Sequence, residues 1–159
     1  MSRLKPPDPI QHAAVARVSS LPATKRRVLF VCVGNCIRSQ FAEAFARAYG
    51  SDVIEAFSCG VAPAGFIADP VQRILRERGV ALAGLTSKSV YEAGAGPFDI
   101  IVNISGSPLP RNFPAPASER TVREWPIRDP MGLKETAYEE AAREIESRVM
   151  SLVLELRRG

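Results

Sequence analysis

The residues most able to do chemistry are gathered in one short run, Cys32-Val-Gly-Asn-Cys-Ile-Arg38-Ser39. Gly34 and Asn35 are residue types that tolerate a left-handed backbone, so the chain there can curl and turn successive N–H groups inward. A curled run of N–H groups at the start of a helix forms a cradle for a tetrahedral anion. Arg38 can add a planar two-pronged contact to two anion oxygens. The same positive surroundings favour a thiolate, the nucleophilic form of cysteine, without help from histidine. The pattern therefore predicts Cys32 as a nucleophile at the floor of an oxyanion cradle, with Val33, Gly34, Asn35, Cys36, Ile37, Arg38 and Ser39 forming its wall.

Other chemistries are poorly supplied. The single histidine, His12, lies far in sequence from this run, so a Cys-His pair and a multi-histidine metal site are not expected. Three cysteines, Cys32, Cys36 and Cys59, are an odd number without a Cys-x-x-Cys pair, which fits neither a disulfide framework nor a zinc set. The net charge of +4 raises the question of nucleic acid, but residues 1–27 carry six basic and one acidic residue, and the remainder is nearly neutral. Nucleic-acid binding is not expected. The chain has no run of about 18–20 apolar residues that would cross a membrane, and residues 1–27 lack the apolar stretch of a secretory signal. A cytoplasmic protein is expected, without a membrane partner, metal or organic cofactor.

The elements that must position the loop can be read from the surrounding pattern. Residues 1–25, with Pro6, Pro7, Pro9 and Pro22, read as a basic, mobile extension, and residues 26–159 as one catalytic domain. Val28-Leu-Phe-Val-Cys-Val33 is an apolar, β-branched run of the kind that forms a strand buried on both faces. Phe41, Ala44, Phe45 and Ala48 recur at helical spacing over 39–49, with Gly50 at the end. Further strands are expected at 52–58, 98–102 and, more weakly, 119–125. Further helices are expected from Asp69-Pro70 to Arg78 and through the stripe Tyr138, Ala142, Ile145, Val149, Leu152, Leu156. Strands alternating with helices predict an α/β single domain, a four-stranded parallel sheet with helices on both faces. Ligands bind beyond the carboxyl ends of strands in such folds, where the Cys32 loop falls. The Pro- and Ser-containing segment 105–117 is a candidate lid.

The run Val28-Leu-Phe-Val-Cys-Val-Gly-Asn-Cys-Ile-Arg-Ser39 resembles the signature loop of the low-molecular-weight protein tyrosine phosphatases and of their relatives, the thioredoxin-coupled arsenate reductases. The resemblance extends over nearly all of 27–159 and includes Ser58-Cys-Gly-Val61 and Asp129-Pro130. It implies that Asp129 is the general acid, a role also needed in a chain with no placed histidine. It further implies that Ser39 donates to the Cys32 sulfur and that Asn35 holds the curl of the loop. The leading expectation is a phosphate monoester hydrolase working through a phosphocysteine, acting on a phosphorylated protein or a small oxyanion. The alternative is an arsenate reductase of the same fold, resolved by an external thiol or a glutaredoxin-like reductant. A third reading is an oxyanion- or phosphoprotein-binding module without turnover. Arg38-Ser-Gln40, Thr86-Ser-Lys88 and Trp125 resemble the reductase branch, and Met131-Gly132 stand where tyrosine phosphatases place a tyrosine. Against that branch, Ser105 stands where its next cysteine would be, and no cysteine follows Cys59. Cys36 is also displaced by one position from the family's second loop cysteine. It reads either as a redox partner of Cys32 or as apolar filler, and Cys59 as core.

Overall fold

The computed structural model describes residues 24–94, 96–111, 113 and 122–159. The extension read at 1–25 lies almost wholly outside the described residues; His12 and residues 112 and 114–117 of the candidate lid lie outside them too. The order of elements is β1 (Arg26–Cys32), α1 (Arg38–Gly50), β2 (Ile54–Gly60), α2 (Asp69–Glu77), β3 (Ile100–Asn103), β4 (Val122–Glu124) and α3 (Glu135–Arg158). The four strands form one parallel sheet in the order β2-β1-β3-β4. The fold is the single-domain α/β arrangement that the alternating pattern implies. No described helix is long and apolar enough to cross a membrane.

The central strand β1 shows why the sheet forms where it does. It pairs with β2 on one side and β3 on the other, and Val28 to Val31 are fully buried. Successive side chains alternate between two cores. Val28 and Phe30 face the core shared with all three helices, whereas Leu29 and Val31 face a smaller core with Cys59, Ala93, Phe98 and Ile101. The second face is thus covered, among the described residues, by the non-helical segment that carries Ala93 and Phe98. Gly94, Gly96 and Pro97 within that segment oppose a helix there.

Helix α1 follows the loop directly. Phe41, Phe45 and Tyr49 stack along one stripe with ring centroids 6.0 and 5.9 Å apart, the spacing that places residues four apart on one face. Phe41 and Phe45 are fully buried, and burial of each side chain contributes about 1.5–3 kcal/mol. This anchors the helix whose first turn carries Arg38 and Ser39.

Some boundaries differ from the expected ones. Strand β2 begins at Ile54, two residues later than expected, because Val53 N–H closes a turn on Gly50 and the Asp52 carboxylate accepts from Arg157 of α3. It then continues past Ser58 to Gly60. Strand β3 starts at Ile100 because Asp99 turns to the Arg27 backbone through its own carboxylate. The described part of the expected fourth strand is three residues long.

Candidate active site

The loop between β1 and α1 closes around a cavity of about 230 Å³. Its wall contains Cys32, Val33, Gly34, Cys36, Ile37 and Arg38 from the loop, Ala62 and Ala64 from the segment after β2, and Asp129 and Met131 from the segment after β4. Five of the seven expected wall residues therefore line the cavity. Asn35 and Ser39 instead stand behind it, fully buried. All contributing segments leave the carboxyl end of the same sheet, which is why parts of the chain so far apart in sequence converge.

The curl of the loop can be traced bond by bond. Asn35 has φ +46°, the left-handed conformation that asparagine tolerates. Gly34 is not left-handed. Its lack of a side chain matters for space, since a Cβ there would stand 3.1 Å from Cys36 Sγ. The loop carbonyls face away from the cavity: those of Cys32, Val33, Gly34 and Cys36 accept from the N–H groups of Val61, Ala62, Ala64 and Ala68. Holding the carbonyls outward turns the loop N–H groups toward the cavity, and no side chain caps the first turn of α1. Unpaired N–H groups in a curled loop at a helix start are able to hold an oxyanion. Gly60 permits the close approach of β2, because a Cβ there would fall 2.7 Å from Val33 O and 2.9 Å from Asn35 N.

Arg38 is buried at 4% exposure and held by the backbone. Its Nη1 donates to Ile104 O at 2.8 Å and to Ile127 O at 3.1 Å. Its Nη2 lies 3.4 Å from Asp129 Oδ2. The guanidinium is therefore aimed before any anion arrives, with its Nε and Nη2 edge left for oxygen recognition. Asp129 is half-exposed at the rim, and its Oδ1 accepts from Met131 N at 3.0 Å, so the carboxyl is oriented by its own turn. The geometry brings together Cys32, Arg38 and Asp129.

The Cys32 sulfur lies 2.8 Å from Ser39 Oγ. Asn35 Nδ2 donates to Ser39 Oγ at 2.7 Å and to Ser58 Oγ at 2.9 Å. An amide nitrogen can only donate, so Ser39 accepts from Asn35. Either partner of the Cys32–Ser39 bond can be its donor, and a thiolate at Cys32 could only accept from the Ser39 hydroxyl.

The other two cysteines have different surroundings. Cys36 is buried beside the cavity, and burial, then the neighbouring Cys32 and Asp129 charges, raise its pKa. Cys59 is buried in the second core, where desolvation pushes its pKa up to about 12. Both are held as neutral thiols. All three cysteines are free, and among the described residues no group of three His, Cys, Asp or Glu side chains could hold a metal ion.

Behind the cavity stands a polar layer that sequence reasoning missed. Gln40 Nε2 donates to Asn35 O and Thr86 O, Ser58 Oγ donates to the buried Glu43, and Lys88 N donates to Asn35 Oδ1. One signal was available: Glu43 lies one helical turn after Ser39, in a stretch otherwise filled with alanine and phenylalanine. A carboxylate there needs a buried partner.

Comparison with known proteins places this geometry among close structural relatives. Residues 27–159 match the family model described as low molecular weight phosphotyrosine protein phosphatase. A glutaredoxin arsenate reductase from Synechocystis is 26% identical over 132 residues, covering 82% of this chain and 98% of that protein. The crystal structure of an arsenate reductase from Archaeoglobus fulgidus is 37% identical, with a TM-score of 0.65 over 79% of this chain and 98% of that one. A low molecular weight protein tyrosine phosphatase from T. tengcongensis shares the fold, with a TM-score of 0.71 at 24% identity over 83% of this chain and all of that one.

Proposed function

The chain belongs to the low molecular weight phosphotyrosine protein phosphatase family, and from that premise we propose that it is an arsenate reductase whose adduct is resolved by an external thiol. Phosphate monoester hydrolysis is the leading expectation from the sequence, but similarity over nearly the whole domain to proteins named arsenate reductase supports the alternative. The cavity carries the reading: among the described residues its wall has alanines and Met131 but no aromatic side chain to stack on a phenyl ring. A small inorganic oxyanion needs only the cradle, Arg38 and the nucleophile.

In this reading the Cys32 thiolate attacks arsenic while the loop N–H groups and Arg38 hold the oxygens. An As–O bond breaks, and Asp129 in its acid form protonates the departing oxygen, which leaves as water. The product is a Cys32–arsenate(V) adduct. An external thiolate then attacks Cys32 Sγ, and the S–As bond breaks with its electron pair remaining on arsenic. Arsenite leaves, and Cys32 is left in a mixed disulfide with the external thiol. A second thiolate attacks the external sulfur of that disulfide and frees Cys32. Each turnover thus oxidises two thiols to one disulfide, reduces one arsenate and forms one water. The resolving thiol is assigned to a partner because Ser105, after β3, keeps its hydroxyl within its own turn, in hydrogen-bond reach of Asn103 Oδ1 and Ser107 O, and supplies no sulfur. A glutaredoxin-like protein or a small thiol would serve.

The test is arsenite formation with glutathione plus glutaredoxin, with thioredoxin and with dithiothreitol, beside hydrolysis of p-nitrophenyl phosphate. Thiol-dependent arsenite release that disappears in Cys32→Ser is the expected result. Rapid ester hydrolysis with no arsenite from any donor would return the protein to the phosphatase branch.

A further inference from the structure

A buried polar cluster outside the cavity is built around Lys88, a side chain only 13% exposed. Its ammonium donates to Thr86 O at 2.7 Å and to Ser58 Oγ at 3.2 Å, and lies 3.7 Å from the buried carboxylate of Glu43. Its backbone is equally engaged. Lys88 N donates to Asn35 Oδ1 at 2.9 Å, and Lys88 O accepts from Gly60 N at 2.9 Å. One residue thus touches helix α1 through Glu43, the end of β2 through Ser58 and Gly60, and the back of the nucleophile loop through Asn35.

These contacts have a direction. Asn35 could in principle present its amide either way round. With Lys88 N–H occupying Oδ1, the NH₂ group must face Ser39 and Ser58. Ser58 donates its one proton to Glu43 and accepts from both Asn35 and Lys88, so its bonding capacity is complete. Ser39 accepts from Asn35, and its proton is left for Cys32. Reversing the amide would place two donors against each other at Lys88 N–H and remove the donor from Ser39. The ammonium keeps the backbone of Lys88 at this post. Burial lowers the pKa of Lys88, and the Glu43 charge opposes that loss.

We infer that Lys88 is a positioning residue for the nucleophile: anchored by Glu43, it fixes the orientation of Asn35 and thereby the hydrogen bond from Ser39 to Cys32. It touches neither the cavity nor an anion within it. The inference rests on Cys32 being the nucleophile and holds whichever oxyanion Cys32 attacks.

The oxyanion cradle does not depend on this contact, since its carbonyls are held by Ala62, Ala64 and Ala68 and Arg38 by Ile104 and Ile127. That independence gives the test. Lys88→Met removes the cation at similar length, and Glu43 keeps Arg47 and Ser58 as partners. The measurement is the rate of Cys32 alkylation by iodoacetamide at neutral pH, followed by peptide mass mapping so that Cys36 and Cys59 are scored separately. Phosphate affinity is measured by calorimetry on the same proteins. Loss of one hydrogen bond to a charged sulfur should slow alkylation about tenfold, while phosphate affinity is retained and Lys88→Arg recovers part of the rate. Glu43→Gln should give a smaller loss in the same direction, and it serves as the test if Lys88→Met does not fold. Alkylation at the wild-type rate in the folded variant would overturn the inference. A parallel loss of phosphate affinity would also overturn it, because Lys88 would then be supporting the whole loop. If Cys32 in the wild type is alkylated no faster than Cys59, the nucleophile assignment itself fails.

Discussion

Arg38→Lys tests whether the anion is recognised by a fork or by a charge. In the wild type both Nη1 protons are used on the carbonyls of Ile104 and Ile127. What remains is the Nε–H and the Nη2 protons, a parallel pair that matches two oxygens of a tetrahedral anion. A lysine has three protons on one nitrogen. If two of them replace the bonds to Ile104 and Ile127, one is left for the anion, and one charged hydrogen bond is lost. If it turns instead toward the anion, two buried carbonyls lose their partners. In the second case the unpartnered carbonyls lower stability; in the first the loss to the anion is about one charge-assisted hydrogen bond, roughly 1.5–3 kcal/mol. That corresponds to a rise of about 10- to 100-fold in Kd for arsenate or phosphate. Calorimetric titration of both anions into the wild type and the variant measures it directly, with circular dichroism to confirm that the variant is folded. An unchanged Kd would mean that the loop N–H groups carry recognition alone and that Arg38 serves only to join the segments after β3 and β4.

Three further outcomes follow from the same geometry. Asp129→Asn keeps a carbonyl oxygen for Met131 N–H but removes the acid. Adduct formation should therefore slow by about 10²–10⁴-fold with anion affinity preserved, and an equal rate in rapid-mixing experiments would place the acid elsewhere. Gly60→Ala drives a methyl group against Val33 O and Asn35 N, both backbone atoms. It should lower stability by about 1–3 kcal/mol in chemical denaturation and weaken anion binding, and normal binding would show that β2 can move aside. In acid, the pairs Arg123–Glu155 and Arg157–Asp52 should lose their stabilisation. Hydrogen bonds from the arginines hold both carboxyls below their ordinary values of 4.5 and 3.8. Their stabilisation is therefore full above those values and disappears as pH falls through the depressed ones. Glu155→Gln should flatten the decline of Tm below about pH 4.5, and an unchanged slope would assign that decline to other groups.

Much of this site was legible in the sequence because one short run encodes it. The type and order of Cys32, Asn35, Arg38 and Ser39 reflect local backbone demands: a left-handed turn, free N–H groups and a helix start. What could not be read was the layer behind the loop. Lys88 lies 53 residues from Asn35 and Glu43 lies 15 from Ser58, and no local periodicity reports such pairings. The same holds for the bonds from Arg38 to carbonyls, since any residue type can offer a carbonyl. The late start of β2 was hidden for a similar reason, because the partner of Asp52 is at the far end of α3. The covering of the second sheet face depended on glycines and a proline whose effect only tertiary packing decides.

The placement of the three sulfurs argues for chemistry that is completed by another molecule. Cys59 is in the second core among Leu29, Val31 and Phe98. It lies beside Val31 in the strand register, on the face opposite the loop-side core that holds Cys36, and its neutral thiol is a poor nucleophile. Cys36 shares the cavity wall, but burial and two neighbouring negative charges keep it protonated. Among the three sulfurs, Cys32 is the one that both lines the cavity and is hydrogen-bonded to Ser39. In the proposed reaction the chain supplies one sulfur, Cys32, to a two-electron reduction that consumes two thiols. The second sulfur would arrive through the open rim formed by Val33, Asp129 and Met131, and Val33 and Met131 are exposed at 40% and 51%. Under that proposal adduct formation is governed by this protein and its release by the donor. Single-turnover arsenite release should therefore vary with the thiol supplied, while the preceding step should not.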